Sequence, residues 1–166
     1  MKQLRSVTKM SYWQAENVDL IGDVTLGTDV NIWYQSVLRG DNAPITIGTA
    51  TNIQDGTVIH VDEDAPVKIG DYVTVGHLCL LHGCRIENGA LIGMGSLVMN
   101  HAVVEENAMV GAGSLVTEGQ VIPAGMLAFG RPARVIRPLT AAEIAKNRAN
   151  AEHYVVHAQK QLRQER

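Results

Sequence analysis

Three of the six histidines in this 166-residue chain, His60, His77 and His82, fall within 23 consecutive positions. Imidazole nitrogens are common ligands of zinc and other transition metals, and two or three that converge on one point can form a metal centre. Histidines scattered over a surface would share no function. The choice between these two interpretations depends on where the backbone places the three side chains.

A six-residue repeat runs through most of the chain and predicts its fold. Steps of six, with slips of three and four residues and one single-residue deletion, visit 17 positions that are all Leu, Ile or Val: Leu20, Leu26, Ile32, Leu38, Ile47, Ile53, Ile59, Ile69, Val75, Leu81, Ile86, Ile92, Val98, Val104, Val110, Val116 and Ile122. A period of six fits neither an α-helix nor an amphipathic strand. It predicts an all-β solenoid with the aliphatic residues stacked inward. The pattern resembles the hexapeptide-repeat, left-handed parallel β-helix, in which three repeats form one triangular coil of about 18 residues.

The chain is predicted to form a single domain over residues 1–166. Residues 1–17 are expected to form an irregular N-terminal cap, and residues 18–137 the β-helix. Thr140 and Glu143 have the spacing of a helix capping box, and residues 140–164 contain neither Gly nor Pro. This segment therefore predicts a C-terminal α-helix, packed along the outside of the solenoid.

Charge and composition exclude several classes of function. The net charge is −3 and the pI about 6.0, which argues against a nucleic-acid partner or a basic membrane-binding surface. The uncharged run 88–104 is 17 residues long and is interrupted by glycines, whereas a membrane-spanning helix needs about 20 apolar residues. No apolar leader follows Met1, so we expect a cytoplasmic protein.

The repeat also assigns the histidines to faces of the solenoid. His60 and His82 both directly follow an inward aliphatic residue, and their separation of 22 residues includes the four-residue slip, which leaves 18 residues, or one coil. They should therefore stack in one column, with backbones about 4.8 Å apart. His77 is the second residue after an inward position and should lie round a corner. A neighbouring solenoid related by a three-fold axis could supply it to the column, so the spacing predicts a homotrimer with metal sites shared between subunits.

These histidines, together with Arg39-Gly40-Asp41 and the segment 52–56 (Asn-Ile-Gln-Asp-Gly), resemble the motifs of the γ-class carbonic anhydrase family. The resemblance extends from about residue 10 to the end of the chain. It implies a trimer that binds Zn²⁺, or alternatively Fe²⁺ or Co²⁺, through two histidines of one subunit and one of the next.

The resemblance also implies roles for other residues. Arg39, Asp41 and Asp55 match residues that make charged contacts between subunits near the site. Gln54 matches a residue that hydrogen-bonds metal-bound solvent, and Tyr154 matches an aromatic residue near the site. Trp33 and Tyr34 are expected on an outer face of the solenoid, where they could serve the trimer interface.

The implied reaction is the reversible hydration of CO₂ to bicarbonate by metal-bound hydroxide. A metal with three histidine ligands and one open position lowers the pKa of bound water from about 15.7 to about 7. A proton must then leave, and Glu63, in the loop created by the four-residue slip, matches the family's proton-shuttle glutamate. The chain departs from the family at Asn42, where the archetype has a catalytic Glu, because an amide cannot carry a proton. An asparagine near Tyr154 is not evident, since two valines follow it.

Three other functions stay open. A metal-dependent acyl-CoA thioesterase or related hydrolase would use the same metal centre. A hexapeptide acyltransferase would use one histidine as a base. The segment 130–134 (Gly-Arg-Pro-Ala-Arg) occurs both in such transferases and in the γ-class family, so it supports the fold without choosing a function. A non-catalytic metal-binding protein is the third alternative, because Asn42 removes a catalytic group.

Overall fold

The computed structural model describes residues 12–164, which form a β-solenoid followed by one α-helix. The strands are β1 (Trp13–Gln14), β2 (Asp19–Leu26), β3 (Asn31–Ile32), β4 (Val37–Ile47), β5 (Asn52–Ile53), β6 (Val58–His60), β7 (Val67–Ile69), β8 (Thr74–Val75), β9 (Leu80–His82), β10 (Arg85–Ile86), β11 (Leu91–Ile92), β12 (Leu97–Val98), β13 (Val103–Val104), β14 (Met109–Val110), β15 (Leu115–Val116), β16 (Val121–Ile122), β17 (Met126–Gly130) and β18 (Ala133–Pro138), and the helix is α1 (Ala141–Gln164).

The strands form three faces from two sheets. One sheet has the order β1-β3-β5-β8-β11-β14-β17-β18, and the other has the order β15-β12-β9-β6-β4-β7-β10-β13-β16 with β2 beside β4. Strand β4 pairs with β6 through residues 37–39 and with β7 through residues 45–47, so the second sheet bends over a corner and supplies two faces. This arrangement confirms the predicted hexapeptide-repeat, left-handed β-helix with a C-terminal helix.

The inward aliphatic residues form the core. Sixteen of the 17 predicted positions are buried, and Leu20, at the first coil, is partly buried against them. Burial of each such side chain stabilises the fold by roughly 1.5–3 kcal/mol. Because every repeat contributes one to the same stack, the stack keeps the short strands in register.

Both slips protrude from the solenoid and leave the repeat intact. The three-residue slip forms an excursion around residues 40–44 within β4. The four-residue slip forms a tight turn between Asp62 and Ala65, closed by a hydrogen bond of 3.1 Å from the Ala65 N–H to the Asp62 carbonyl. The acidic loop predicted after His60 is therefore a compact turn.

The solenoid begins earlier than predicted. Trp13–Gln14 pair in parallel with Asn31–Ile32, so the first coil starts inside the stretch assigned to the irregular cap. Residues 1–11 of that predicted cap lie outside the described residues. At the other end, β17 and β18 form an antiparallel hairpin that closes the last coil.

Helix α1 packs on the first sheet, against β1, β3, β5 and β8. The predicted capping box is present: the Thr140 N–H donates to Glu143 Oε2 over 2.8 Å, and the Glu143 N–H donates to Thr140 Oγ1 over 3.2 Å. The helix covers Trp33, whose ring lies 5.4 Å from that of Tyr154. Trp33 is only 8% exposed, so its predicted place on an outer interface is wrong, whereas Tyr34 is exposed.

No helix within residues 12–164 combines the length and apolar character needed to cross a membrane. Cytoplasmic location itself stays a prediction.

Candidate metal centre

His60 and His82 lie side by side on neighbouring coils. Strands β6 and β9 pair in parallel with His60 opposite His82, as the repeat count predicts, and Arg39 lies opposite His60 on the other side. The two imidazoles are mostly covered, with side chains 18% and 24% exposed. Their facing nitrogens, Nδ1 of His60 and Nε2 of His82, are 2.9 Å apart.

The outer nitrogens of this pair are both held by hydrogen-bond acceptors. Nε2 of His60 lies 3.0 Å from Asp41 Oδ1. Nδ1 of His82 contacts Oδ1 of Asn100, whose Nδ2 lies 2.7 Å from Asp62 Oδ2. A carboxylate only accepts hydrogen bonds, so the Asn100 amide nitrogen must face Asp62 and its carbonyl oxygen must face His82. Both outer ring nitrogens therefore carry hydrogen.

This arrangement leaves a lone pair on each inner nitrogen when the rings are neutral. Two lone pairs facing each other at 2.9 Å repel, unless the two nitrogens share a cation, which can be a proton or a metal ion. Metal-ligating histidines commonly donate their second N–H to a carboxylate or carbonyl oxygen, as both rings do here. The donor set of the column thus fits a transition-metal ligand pair.

One ring nitrogen of His77 is also held by a hydrogen-bond acceptor, but His77 lies on a different sheet from the His60–His82 pair. It follows β8 on the first sheet, whereas His60 and His82 belong to the second. Its Nδ1 lies 2.9 Å from Asp55 Oδ2, which leaves the lone pair on Nε2, and its side chain is 40% exposed. Within residues 12–164, no three His, Cys, Asp or Glu side chains of the single chain form a group that could hold a metal ion. The structure brings together two of the three predicted ligands.

The acidic residues near the histidines contact them within one chain. Asp41 forms an ion pair with Arg39 and also accepts from His60. Burial raises the pKa of Asp41, but the hydrogen bonds from Arg39 and His60 outweigh it and hold this pKa below its ordinary value. Contacts of Arg39, Asp41 and Asp55 with a neighbouring subunit stay a prediction.

A cavity of about 260 Å³ lies beside His77, between the first sheet and helix α1. Gln54 and Tyr154 line it together with His77. Nε2 of Gln54 donates to Oδ1 of the buried Asn52 over 3.0 Å, which holds the Gln54 side chain in place. Burial and the nearby charge of Asp55 raise the pKa of the Tyr154 phenol. Gln54 and Tyr154 therefore share a face with His77 and not with the His60–His82 pair.

The chain resembles proteins of known class along most of its length. A family model described as bacterial transferase hexapeptide (six repeats) matches residues 83–118. A "Probable carbonic anhydrase" of Methanocaldococcus jannaschii is 49% identical over 85% of this chain and 89% of that relative. "Gamma carbonic anhydrase 2, mitochondrial" of Arabidopsis thaliana is 44% identical over 87% of this chain, which spans 54% of that relative. This chain belongs to the γ-class carbonic anhydrase-like family.

The prediction of a carbonic anhydrase-like enzyme is confirmed at the level of the family. The γ-carbonic anhydrase-like fold is also present in the crystal structure of a hexapeptide transferase family protein from Anaplasma phagocytophilum. That structure has a TM-score of 0.85 and 44% identity, and the match covers 90% of this chain and 88% of that one.

Two site residues of this γ-carbonic anhydrase-like chain were missed in the sequence. Asn150 lines the same cavity as Tyr154 and donates from Nδ2 to Thr74 Oγ1 over 3.3 Å. The expectation that no asparagine lies near Tyr154 is wrong, because residues four apart share a helix face and Asn150 lies one turn before Tyr154. Asn100, the partner of His82, lies one position beyond the residue in register with His82, because Val98 pairs with Leu81. A count of coil lengths therefore does not point to it.

Glu63, the predicted proton shuttle, and Asn42, where the chain departs from the family, lie near the His60–His82 pair. Glu63 is exposed at the tip of the Asp62–Ala65 turn. Asn42 is also exposed, and its Nδ2 donates to the Val61 carbonyl over 3.4 Å. Asn42 thus supports the backbone that follows His60, and the proton-shuttle role of Glu63 stays a prediction.

The remaining histidines lie outside this group. His153 and His157 are neighbours on the exposed face of α1, with ring centroids 4.3 Å apart. Nε2 of His101 lies 3.8 Å from Asp64 Oδ2.

Proposed function

We propose that this chain is a carbonic anhydrase that catalyses the reversible hydration of CO₂ to bicarbonate. The observation that carries the proposal is the geometry of the His60–His82 pair. Asp41 and Asn100 accept hydrogen bonds from the outer ring nitrogens, so the two inner nitrogens, 2.9 Å apart, each keep a lone pair. Relatives with 43–49% identity are named carbonic anhydrases, which supports the same chemistry here.

The proposed centre is shared between subunits of a homotrimer. Nδ1 of His60 and Nε2 of His82 would be the ligands from one subunit, and Nε2 of His77 would come from a second copy of the chain. The exposed position of His77 on another face, and its N–H donation to Asp55, support this assignment. Histidine nitrogens suit Zn²⁺, and Fe²⁺ or Co²⁺ are the alternatives.

Zinc held by three imidazoles supplies an acidified water molecule, with a pKa of about 7, as the nucleophile for CO₂. The residues of the chain have the remaining tasks. Asp41 and Asp55 orient His60 and His77 through their N–H groups. Gln54 and Tyr154 would orient water and substrate in the cavity beside His77, with Gln54 held in place by Asn52.

Proton release is the task of Glu63. Its side chain extends from a short turn into solvent, where a carboxylate can exchange protons with buffer. Asn42 cannot carry a proton and supports the Val61 carbonyl instead. The chain therefore depends on one carboxylate where the family archetype has an additional one.

Metal analysis combined with stopped-flow CO₂ hydration tests this proposal. Protein purified without oxygen should contain one metal ion per chain in a trimer, and it should hydrate CO₂ well above the rate of free metal. His60→Ala should lose both properties, and His153→Ala, on the exposed helix face, should lose neither. A fully loaded trimer that hydrates CO₂ no faster than free metal would contradict the proposal and leave a non-catalytic metal-binding role.

Acyl transfer is the second candidate, because the structurally similar Anaplasma protein is named a hexapeptide transferase family protein. Turnover of acyl-CoA that survives chelation would favour a transferase with a histidine base. Turnover that disappears on chelation would instead favour a metal-dependent thioesterase or hydrolase. Measurement of both activities on the same loaded preparation separates these alternatives from CO₂ hydration.

A further inference from the structure

Asn100 connects His82 to the acidic turn. It lies half-buried in the corner after β12, with Oδ1 against Nδ1 of His82 and Nδ2 donating to Asp62 Oδ2 over 2.7 Å. Asp62 itself is 4.0 Å from Nδ1 of His82, too far for a direct hydrogen bond. Asn100 is thus the bridge through which the turn holds the imidazole.

We infer that Asn100 is a positioning residue for His82, which fixes both the orientation of the ring and the nitrogen that bears hydrogen. The inference rests on the metal site of the proposed function. A neutral imidazole carries its hydrogen on either nitrogen, and the partner of one nitrogen decides the state of the other. Because Oδ1 of Asn100 can only accept, Nδ1 of His82 keeps the hydrogen and Nε2 keeps its lone pair toward His60.

Asn100 can have this effect only because its own amide cannot rotate freely. If its amide turned over, its nitrogen would face the Nδ1–H of His82 and its oxygen would face the Asp62 carboxylate, so both contacts would be repulsive. Asp62 therefore selects the orientation of Asn100, and Asn100 selects the hydrogen position on His82. His60 and His77 are held directly by carboxylates, so His82 differs in being held through an amide.

The backbone around Gly83 permits this close approach. Gly83 has a φ of +56°, and a Cβ there would lie 2.6 Å from the Ala65 Cβ and 3.0 Å from Oδ1 of Asn100. The His101 N–H donates to the Gly83 carbonyl over 2.7 Å, which fixes the corner that carries Asn100. The residue after His82 thus leaves room for both the turn and the asparagine.

Three variants test the role of Asn100. Asn100→Leu removes the acceptor, and Asn100→Asp keeps an acceptor but places two carboxylates in contact. The double variant Asn100→Asp/Asp62→Asn exchanges the two groups, so that the introduced amide can donate to the introduced carboxylate. We expect zinc affinity, measured by competition with a chelator, to fall about 10–100-fold in both single variants and to recover to within about 3-fold in the exchange variant.

Proton NMR of ¹⁵N-histidine-labelled protein gives a second readout that does not depend on turnover. The Nδ1–H of His82 should be visible and protected from solvent exchange in the wild type and in the exchange variant, and lost in Asn100→Leu. Asn88→Leu is the matched control, because Asn88 is also a corner asparagine, whose Oδ1 accepts from the Asp71 N–H over 2.8 Å. It should leave zinc affinity and the His82 signal unchanged.

A folded Asn100→Leu trimer with wild-type zinc affinity and a protected Nδ1–H at His82 would overturn the inference. Failure of the exchange variant to recover, while it remains folded, would also overturn it. These results are separate from the proposed function: if loaded wild-type protein does not hydrate CO₂, the proposed activity fails, but zinc affinity and the His82 signal still decide the role of Asn100.

Discussion

Nδ1 of His60 and Nε2 of His82 are 2.9 Å apart, and their ring planes are inclined by 64°. The ladder fixes the two backbones one strand spacing apart, and the groups on the outer nitrogens turn the inner nitrogens toward each other. The pair is therefore arranged to share a cation before any ligand arrives. This preorganisation makes the ligand pair a property of the solenoid itself.

Zinc should stabilise the folded protein through this pair. A ligand that binds only the native state at 100 times its dissociation constant adds about 2.7 kcal/mol to the free energy of unfolding. His60→Ala should abolish the increase. We also expect the zinc effect to grow with protein concentration, because the proposed site is shared between subunits. Urea unfolding with and without zinc, at two protein concentrations, measures both effects, and an unchanged midpoint would exclude a native-state zinc site.

His77→Ala should remove the metal and leave the solenoid folded. The side chain is 40% exposed and contacts Asp55, so in metal-free protein its loss should change the free energy of unfolding by less than about 0.5 kcal/mol. Metal content of the purified variant and its urea unfolding curve check the two halves of this expectation. His153→Ala, which removes an exposed histidine on α1, is the control and should retain the metal. Full metal occupancy in His77→Ala would rule out the shared site.

Tyr154 can be tested for a role beyond packing. Tyr154→Phe retains the ring against Trp33 and removes only the hydroxyl, so the free energy of unfolding should stay nearly constant. If the hydroxyl assists CO₂ hydration through one hydrogen bond, kcat should fall between about 2-fold and 10-fold. Tyr154→Ala should in addition destabilise the protein by at least about 0.5–1.5 kcal/mol, the value of an aromatic pair. An unchanged kcat in Tyr154→Phe would limit the residue to packing.

The start of α1 should weaken in acid. Hydrogen bonds from Arg137 and from Thr140 lower the pKa of Glu143 to about 2, from an ordinary value of 4.5. Since the folded-state pKa is lowered, the stabilisation is complete above about pH 4.5 and is lost as the pH falls toward 2. The difference in unfolding free energy between wild type and Glu143→Gln should therefore shrink over this range. A difference that stays constant from pH 7 to pH 2 would contradict the assignment.

The repeat predicted the fold and the histidine column because both depend on counting along the chain. All 17 positions of the six-residue step are aliphatic, and subtraction of the slip places His60 beside His82 without knowledge of any side-chain contact. Counting along the chain does not predict the conformation of the four extra residues after His60. Whether four extra residues form a mobile loop or a tight turn depends on backbone hydrogen bonds such as that between Ala65 and Asp62.

The residues missed in the sequence depend on packing between elements. The hexapeptide pattern is the same on all three faces, so it does not specify which face the helix covers, and Trp33 was therefore expected at the surface. Asn150 lies one helical turn before Tyr154 on the same face of α1, and its place beside Tyr154 depends on how α1 packs on the sheet. Asn100 reaches His82 from the next coil, and its contact becomes visible only when the corner is built.

The compact turn between Asp62 and Ala65 has a consequence for the evolution and engineering of this chain. It projects from the solenoid at a point between the two ligands, so residues added at its tip would not alter which strands pair. A single residue added inside β7, β8 or β9 would instead shift His82 out of register with His60 and separate the ligands. Length variation should therefore be tolerated at the Asp62–Ala65 turn, and that turn is where a grafted segment could be brought next to the proposed metal site.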